Sequence, residues 1–482
     1  MTVPRSILSR ELLPASIAIY TTIAIVAFEG LAVTAALPDL TAELGDVELL
    51  PWVITGFLLA SGVATAIAGS FIDSLGTSTV FRWATIGFAA ASLAAAASDS
   101  MPLLVATRVL QGATGGALIS VGVGAVALVY PSQLMGRAFA ANSNVWGVMG
   151  FAGPALAAAL LQVGSWRWIF LVMVPIAAAA LVAGWRTLPG PVEPAPLRVD
   201  WIAVALLVMT VGSLLATVSY LSSAALLPAI VMIVSGWLLW QRMTRDRSSL
   251  LDRRFIGDYP YRQLAAVAAL TLVAIMGLAT YLPVYVRGAR GASVAAAAWS
   301  VLWLTIGWTV AANIAGRVTD RVEERSVMRV GVLVGIPAIA AAWAAVAFAA
   351  PLPVIYATYF AMGTAVGAVT NSALQMVRLA VAPSLAGRAT SAHAFSRTVG
   401  MSVGAGLAGG VILATVARTV GDVSTVRDAL AGDTSDLAGA AVDALANGVS
   451  IAHAVSLGIM IVTLVPLHRL MTGPPLIGEQ GI

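Results

Sequence analysis

Three ionisable side chains stand deep inside runs of residues that are otherwise apolar or small: Glu29, Arg108 and Arg397. A charge in such surroundings costs about 2.5–3.5 kcal/mol for Asp, Lys or Arg, so each is a functional candidate by default. Glu29 stands nine residues before Pro38 and Arg108 seven after Met101. At ~1.5 Å of rise per helical residue, their depths are close enough for a pair. A low dielectric favours the neutral acid and a neighbouring guanidinium favours the carboxylate, so a movement that alters their separation alters the affinity of Glu29 for a proton. The rival reading is a fixed ion pair that fastens two helices. His393 and Arg397 share a helix face at i, i+4. Arg397 can hold an anionic group or a carboxylate partner, while His393 either relays protons or snorkels to the interface. His453 is expected at the interface. Amides stand mid-run at Asn142, Asn144, Asn313, Asn371 and Gln375, where they line a cavity or join helices. The residues expected to line a substrate cavity are Asn142, Trp146, Asn371, Gln375 and Arg397.

Other chemistries are excluded. With no Cys, and His only at 393, 453 and 468, disulfides, thiolate sites and metal-ligand spacings are missing. No nucleophile motif or cofactor fingerprint occurs, so the chain is not expected to be an enzyme or to need a cofactor. The Gly-x-Gly patterns between Gly400 and Gly410 fit close helix packing inside a membrane, not dinucleotide binding.

The elements that must position these groups follow from composition. The 482 residues are 60% hydrophobic and 10% charged, against roughly 45–50% and 25% in soluble domains, and the mean hydropathy is +0.94. This is an all-α integral membrane protein. A bilayer core needs around 20 apolar residues per helix, and fourteen runs qualify: 17–38, 50–72, 80–98, 102–130, 137–163, 167–187, 201–221, 225–241, 262–286, 293–316, 328–350, 352–378, 390–417 and 449–468. The first is too long for a signal peptide and carries Glu29, so it is expected to remain uncleaved. All 26 basic residues are Arg. Placing both termini in the cytoplasm leaves five Arg outside (Arg167, Arg287, Arg290, Arg418 and Arg427), two in spans and the rest on the cytoplasmic side, as the positive-inside rule favours. The expected location is the cell (inner or plasma) membrane, with lipid as the surroundings and no nucleic-acid partner. An outer segment at 419–448 carries a short amphipathic helix capped by Thr434 or Ser435, with Leu437, Ala441, Val442 and Leu445 on one face.

An internal repeat divides the chain. Gly69-Ser-Phe-Ile-Asp73 follows the second span and Gly316-Arg-Val-Thr-Asp320-Arg321, with Arg325 beyond, follows the tenth. The offset of 247 residues spans six core helices plus two more. It predicts an N-terminal six-helix half at 1–190, an inserted hairpin with linkers at 191–261, and a C-terminal half at 262–482. The small Gly lets helices approach, and the Asp caps a helix or pairs with a basic group across the seam, so Gly69, Asp73, Gly316, Asp320, Arg321 and Arg325 form a conformational latch.

Several segments resemble the major facilitator superfamily, and within it the fourteen-span drug:proton antiporter branch. The first span runs from Glu29 to Ala-Leu-Pro38, similar to that branch's signature, and the loop after the second span matches the Gly-x-x-x-Asp motif. Arg108-Val-Leu-Gln111-Gly112 matches the Arg-x-x-Gln-Gly motif implicated in proton transfer, and Gly147-Val-Met-Gly150-Phe-Ala-Gly153-Pro154 is similar to the antiporter motif. Trp166-Arg167-Trp168-Ile169-Phe170 opens the sixth span as in the branch. The chain departs from the pattern in having Glu at 29 where Asp is usual, in lacking basic residues at Ser74 and Thr77–Ser78, and in Ala157 and Ala158 where a Gly pair often follows.

The resemblance implies adjacent first and fourth spans and a proton-coupled exporter of hydrophobic or amphipathic compounds, cationic drugs among them. Such a protein works by alternating access as a monomer, driven by the proton gradient alone, with Glu29 and Arg108 coupling the proton. The alternatives are a transporter of lipid or lipid-like metabolites on the same fold, and a nontransporting membrane sensor.

Overall fold

Long apolar runs, four of them opened by Pro at the first helical positions, where its missing N–H leaves no bond unmade, fold into helices throughout a computed structural model. It describes residues 6–190, 199–220, 225–245, 253–318, 322–381, 386–421 and 436–474. Fourteen helical rods follow one another: α1 (Leu13–Leu44), α2 (Leu50–Leu75), α3 (Thr77–Ala96), α4 (Met101–Val129), α5 (Ser132–Val163), α6 (Arg167–Leu171 continued by Met173–Gly184), α7 (Trp201–Ser219), α8 (Leu226–Arg245), α9 (Tyr261–Val284, extended by a π turn at Tyr285–Ala289), α10 (Val294–Val318), α11 (Glu324–Ala347), α12 (Leu352–Leu379), α13 (Ala386–Val420) and α14 (Asp436–Val462 continued by Leu464–Thr472). Among the described residues, thirteen rods are long and apolar enough to cross a membrane. The fourteenth, α5, carries Arg137, Asn142 and Asn144 in its first half and reaches across by its 32 residues.

The two runs of six pack alike. α2 lies on α4 as α10 lies on α12, and α3 on α4 as α11 on α12; α1 meets α5 and α6 as α9 meets α13 and α14. The halves join along two exchanged seams, α2 with α13 and α5 with α10, and α1 touches α9 and α10. The hairpin α7–α8 sits outside this set, with α7 against α13 and α2. α8 turns Leu226, Ile230, Ile233 and Trp237 outward, as a lipid-facing helix does.

The tightest intrahalf contacts reveal a second repeat. Gly112 and Gly116 of α4 lie against the backbone carbonyls of Phe57 and Ser61, and a Cβ at either would strike them; Gly363 and Gly367 of α12 stand the same way against Leu304 and Trp308. The segments align at an offset of 251, as Pro102, Ala106-Thr107-Arg108, Gly112 and Gly116 against Pro353, Ala357-Thr358-Tyr359, Gly363 and Gly367. Tyr359 therefore occupies the place of Arg108.

One boundary shifts from expectation. Residues 436–448, expected in the outer segment, are the first turns of α14, and Ala441 and Leu445 are buried. The amphipathic spacing seats this stretch on α13 as part of a membrane helix. Thr434 and Ser435 lie outside the described residues.

Candidate functional site

α1 and α4 bring Glu29 and Arg108 together. Arg108 Nη1 forms an ion pair with Glu29 Oε1, and both side chains are buried to within 1%. Arg108 reaches this position because α4 lies close on α2: Nε donates to the carbonyl of Val53 at 3.0 Å, and the guanidinium sits 4.3 Å from the centre of the Phe57 ring. Nη1 also donates to Gln111 Oε1 at 2.6 Å. Gln111 Nε2 in turn donates to Ser92 Oγ of α3 at 2.9 Å, and Ser92 Oγ to the Phe88 carbonyl at 2.8 Å. A connected polar path thus runs from α1 through α4 into α3. Glu29 Oε2 is buried with no hydrogen-bond partner among the described residues, so Arg108 engages one oxygen of the carboxylate and not the other. Glu29, Arg108 and Gln111 were legible as motif residues; the Val53 carbonyl and Ser92 carry no sequence signal.

The other expected groups separate. Gly69 lies exposed on α2, and a Cβ there would meet open space. Asp73 falls in the last turn of α2 and Gly316 near the end of α10, while Asp320 and Arg321 lie outside the described residues. Arg325 closes on the end of α14 in its own half, donating Nη1 to the Leu470 carbonyl at 3.1 Å and Nη2 to that of Pro474 at 2.7 Å. Gly150 of the antiporter-like motif is buried in the α5–α10 seam, where a Cβ would strike Thr305, and Gly147 faces Thr309. Gly153 is buried on the same helix, which continues through Pro154. Asn142 and Trp146 are on α5, but their side chains lie outside the description. Asn371 joins helices, its Nδ2 donating to the Ala312 carbonyl of α10 at 3.2 Å. Gln375 is half-buried on α12. Among the described residues, His393, 3% exposed, has neither ring nitrogen bonded, and the buried Nε of Arg397 also lacks a partner.

His453 is a correction. It is fully buried, with Nδ1 2.8 Å from the Val449 carbonyl and Nε2 3.1 Å from Tyr359 Oη. Tyr359 Oη also lies 3.3 Å from the carbonyl of Leu278. α14 presents this position to the interior of its half, where a tyrosine answers the ring. A Tyr–His contact thus stands in the C-terminal half where the N-terminal half has its ion pair.

Two further clusters were not anticipated, and both lie at the end of the bundle opposite the termini. Arg167 Nη1 donates to Glu43 Oε1 at 2.5 Å, Arg167 Nη2 to the Ser98 carbonyl at 3.1 Å and Trp166 Nε1 to Glu43 Oε2 at 2.8 Å. The Trp-Arg motif therefore staples α6 to the ends of α1 and α3. Arg287, in the π turn of α9, pairs with Asp39 of α1 and so ties one half to the other.

The comparisons accord with this architecture. The chain is 30% identical over 297 residues to the "Probable multidrug-efflux transporter Rv1634" of Mycobacterium tuberculosis (strain ATCC 25618 / H37Rv), covering 58% of this chain and 61% of that protein. It is 33% identical over 181 residues to the "Multidrug export protein EmrB" of Escherichia coli (strain K12), covering 37% and 35%. The chain spans about half the length of the curated relatives it matches. In fold it is similar to a bacterial homologue of the human lysosomal transporter Spinster, solved in an inward-facing and occupied conformation, at a TM-score of 0.71 and 14% identity over 96% of this chain and 97% of that one. The family model for the Major Facilitator Superfamily matches residues 17–405; with the fold and these relatives, the chain belongs to that superfamily, a family of membrane transporters rather than enzymes.

Proposed function

We propose that this protein is a proton-coupled exporter of hydrophobic or amphipathic compounds, with Glu29 as the group that binds the coupling proton and Arg108 as its modulator. The observation that carries the reading is the fully buried pair in which one carboxylate oxygen is held by Arg108 and the other has no partner. Such an acid changes protonation state when its distance to the guanidinium changes. Moving one proton through 100 mV supplies about 2.3 kcal/mol, which holds roughly a fiftyfold gradient of an uncharged solute.

Alternating access would act on that distance through α1, which carries Glu29 and also touches α9 and α10 of the other half. The ties between halves support a state closed at the end opposite the termini: Asp39 pairs with Arg287, and α2 meets α13 from Gly409 beside Pro51 to Gly62 beside Thr398. The antiparallel register of that seam carries residue 73 to the level of residue 387, so closing the terminal end would bring the Asp73 latch against α13. With both termini cytoplasmic, this state is open to the cytoplasm and ready to load.

The test is counterflow in proteoliposomes with an imposed pH gradient, using a panel of amphipathic dyes. Wild type should accumulate dye against its gradient only when ΔpH is present. Glu29→Gln should retain downhill exchange of dye and lose the response to ΔpH. Full coupling in that variant would remove Glu29 from the mechanism.

A further inference from the structure

Charge is compensated in one half and left uncompensated in the other. Glu29 is matched by Arg108, whereas Arg397 has no ion pair among the described residues and its buried Nε has no hydrogen-bond acceptor. Among the described residues, the elements packed at its level supply no counter-ion. α9, α10, α12 and α13 contain no Asp or Glu, and the stretch of α2 facing it, residues 56–70, contains no charge. The nearest acid on α2, Asp73, is ten residues beyond the facing position, about 15 Å along the helix. The acids of α14, Asp436 and Asp443, stand at its opposite end.

The direction of the side chain follows from the contacts of α13. Thr398 and Phe395 touch Gly62 of α2, while Gly400 and Gly404 face Ala269 and Val273 of α9; Gly406 and Gly410 are covered by α7. At about 100° per residue, Arg397, Ala394 and Met401 fall in the sector between the α9 and α2 faces, away from α7. All three are half-buried, so each keeps part of its surface exposed in this sector. One turn earlier His393, on the side of α13 turned toward α9, is 3% exposed, and its two ring nitrogens are unbonded among the described residues.

We propose that Arg397, with His393 behind it, is the subsite for an acidic group of the transported solute, so that the preferred substrate is an organic anion: a hydrophobic body carrying a carboxylate, sulfonate or phosphate ester. The planar guanidinium matches such a group through two N–H donors. This rests on the exporter reading and reverses the cationic preference that the sequence resemblance implies. The same acidic group is carried by free amphiphiles and by anionic lipid headgroups.

Binding without a gradient tests it independently of proton coupling. The full chain in phosphatidylcholine nanodiscs is titrated with 1-anilinonaphthalene-8-sulfonate and with its uncharged ring analogue N-phenyl-1-naphthylamine, empty discs serving as reference. Wild type should bind the sulfonate about ten- to a hundredfold more tightly than the neutral analogue, the range of a charge-assisted hydrogen bond. Arg397→Gln should abolish the preference while leaving the neutral analogue's affinity unchanged, and Arg397→Lys should retain most of it. An unchanged thermal unfolding midpoint of both variants separates this from misfolding. Replacing a fifth of the lipid by phosphatidylglycerol then distinguishes the sources: competition with the sulfonate assigns the subsite to a lipid headgroup, and its absence to a free solute. Lack of saturable sulfonate binding, equal binding of the two probes, or a preference that survives in Arg397→Gln overturns the proposal.

Discussion

Neutralising one member of the Glu29–Arg108 pair strands the other where water does not reach. Glu29→Gln leaves a guanidinium that cannot shed its proton, with the Val53 carbonyl and Gln111 Oε1 as its acceptors. Arg108→Gln leaves a buried carboxyl and withdraws the donor from both acceptors. Removing one partner of a buried pair costs about 3–5 kcal/mol, and each orphaned acceptor adds about 1–3 kcal/mol. The double variant Glu29→Gln/Arg108→Gln removes both charges and places two amides that can bond to each other. Its loss of stability should therefore fall about 3 kcal/mol short of the sum of the single losses. The assay is denaturant unfolding of the full chain in micelles at fixed pH, followed through its 13 tryptophans. Additivity of the three variants within about 0.5 kcal/mol would refute the reasoning, because residues that interact this closely must couple.

Two further outcomes follow from packing and charge at other levels of the bundle. Gly112→Ala drives a methyl into the carbonyl of Phe57; backbone cannot yield, so the variant should lose at least about 1–3 kcal/mol. Gly30→Ala, beside Glu29 but facing open space, should be neutral or gain about 0.5–1 kcal/mol from helix propensity, and equal effects in the same unfolding assay would contradict the packing. At the end opposite the termini, Asp39→Asn removes a partly exposed tie worth about 0.2–1 kcal/mol, an up to roughly fivefold change in the population closed at that end. Spin labels on cysteines introduced at the ends of α1 and α9 should report it as a longer-distance component, reversed by the charge-swapped double variant Asp39→Arg/Arg287→Asp. An unchanged distance distribution would show that the pair does not hold the halves together.

The helices are legible in the sequence because a bilayer imposes runs of fixed length, and Glu29 and Arg108 because a charge inside such a run has few bland explanations. What surrounds them is harder to read. The carbonyl of Val53 has no letter of its own, and Ser92 stands in an Ala-rich stretch like several other serines. His453 reads as interfacial because one residue on an apolar helix does not reveal whether its face meets lipid, headgroups or protein; its partner Tyr359 lies 94 positions away. The second repeat escapes notice because it rests on a handful of small residues and because its most conspicuous member differs, Arg in one copy and Tyr in the other. Glu43 reads as part of an acidic outer loop, and only folding brings it to Trp166 and Arg167.

Gly62 against Thr398 and Gly150 against Thr305 have a mechanical meaning. Gly62, Gly150 and Thr305 fall near mid-length of their helices, and both contacts join a residue without a side chain to a short one, so in the proposed alternation they would serve as a fulcrum. Gly150 lies about 27 Å from the terminal-side end of α5, and each degree of rotation about it displaces that end by about half an ångström. Roughly 15° opens a gap of about 7 Å, the width of an aromatic ring. A bulkier residue at either contact acts on the pivot and not on the gates, so its effect should fall on turnover while both closed ends keep their strength.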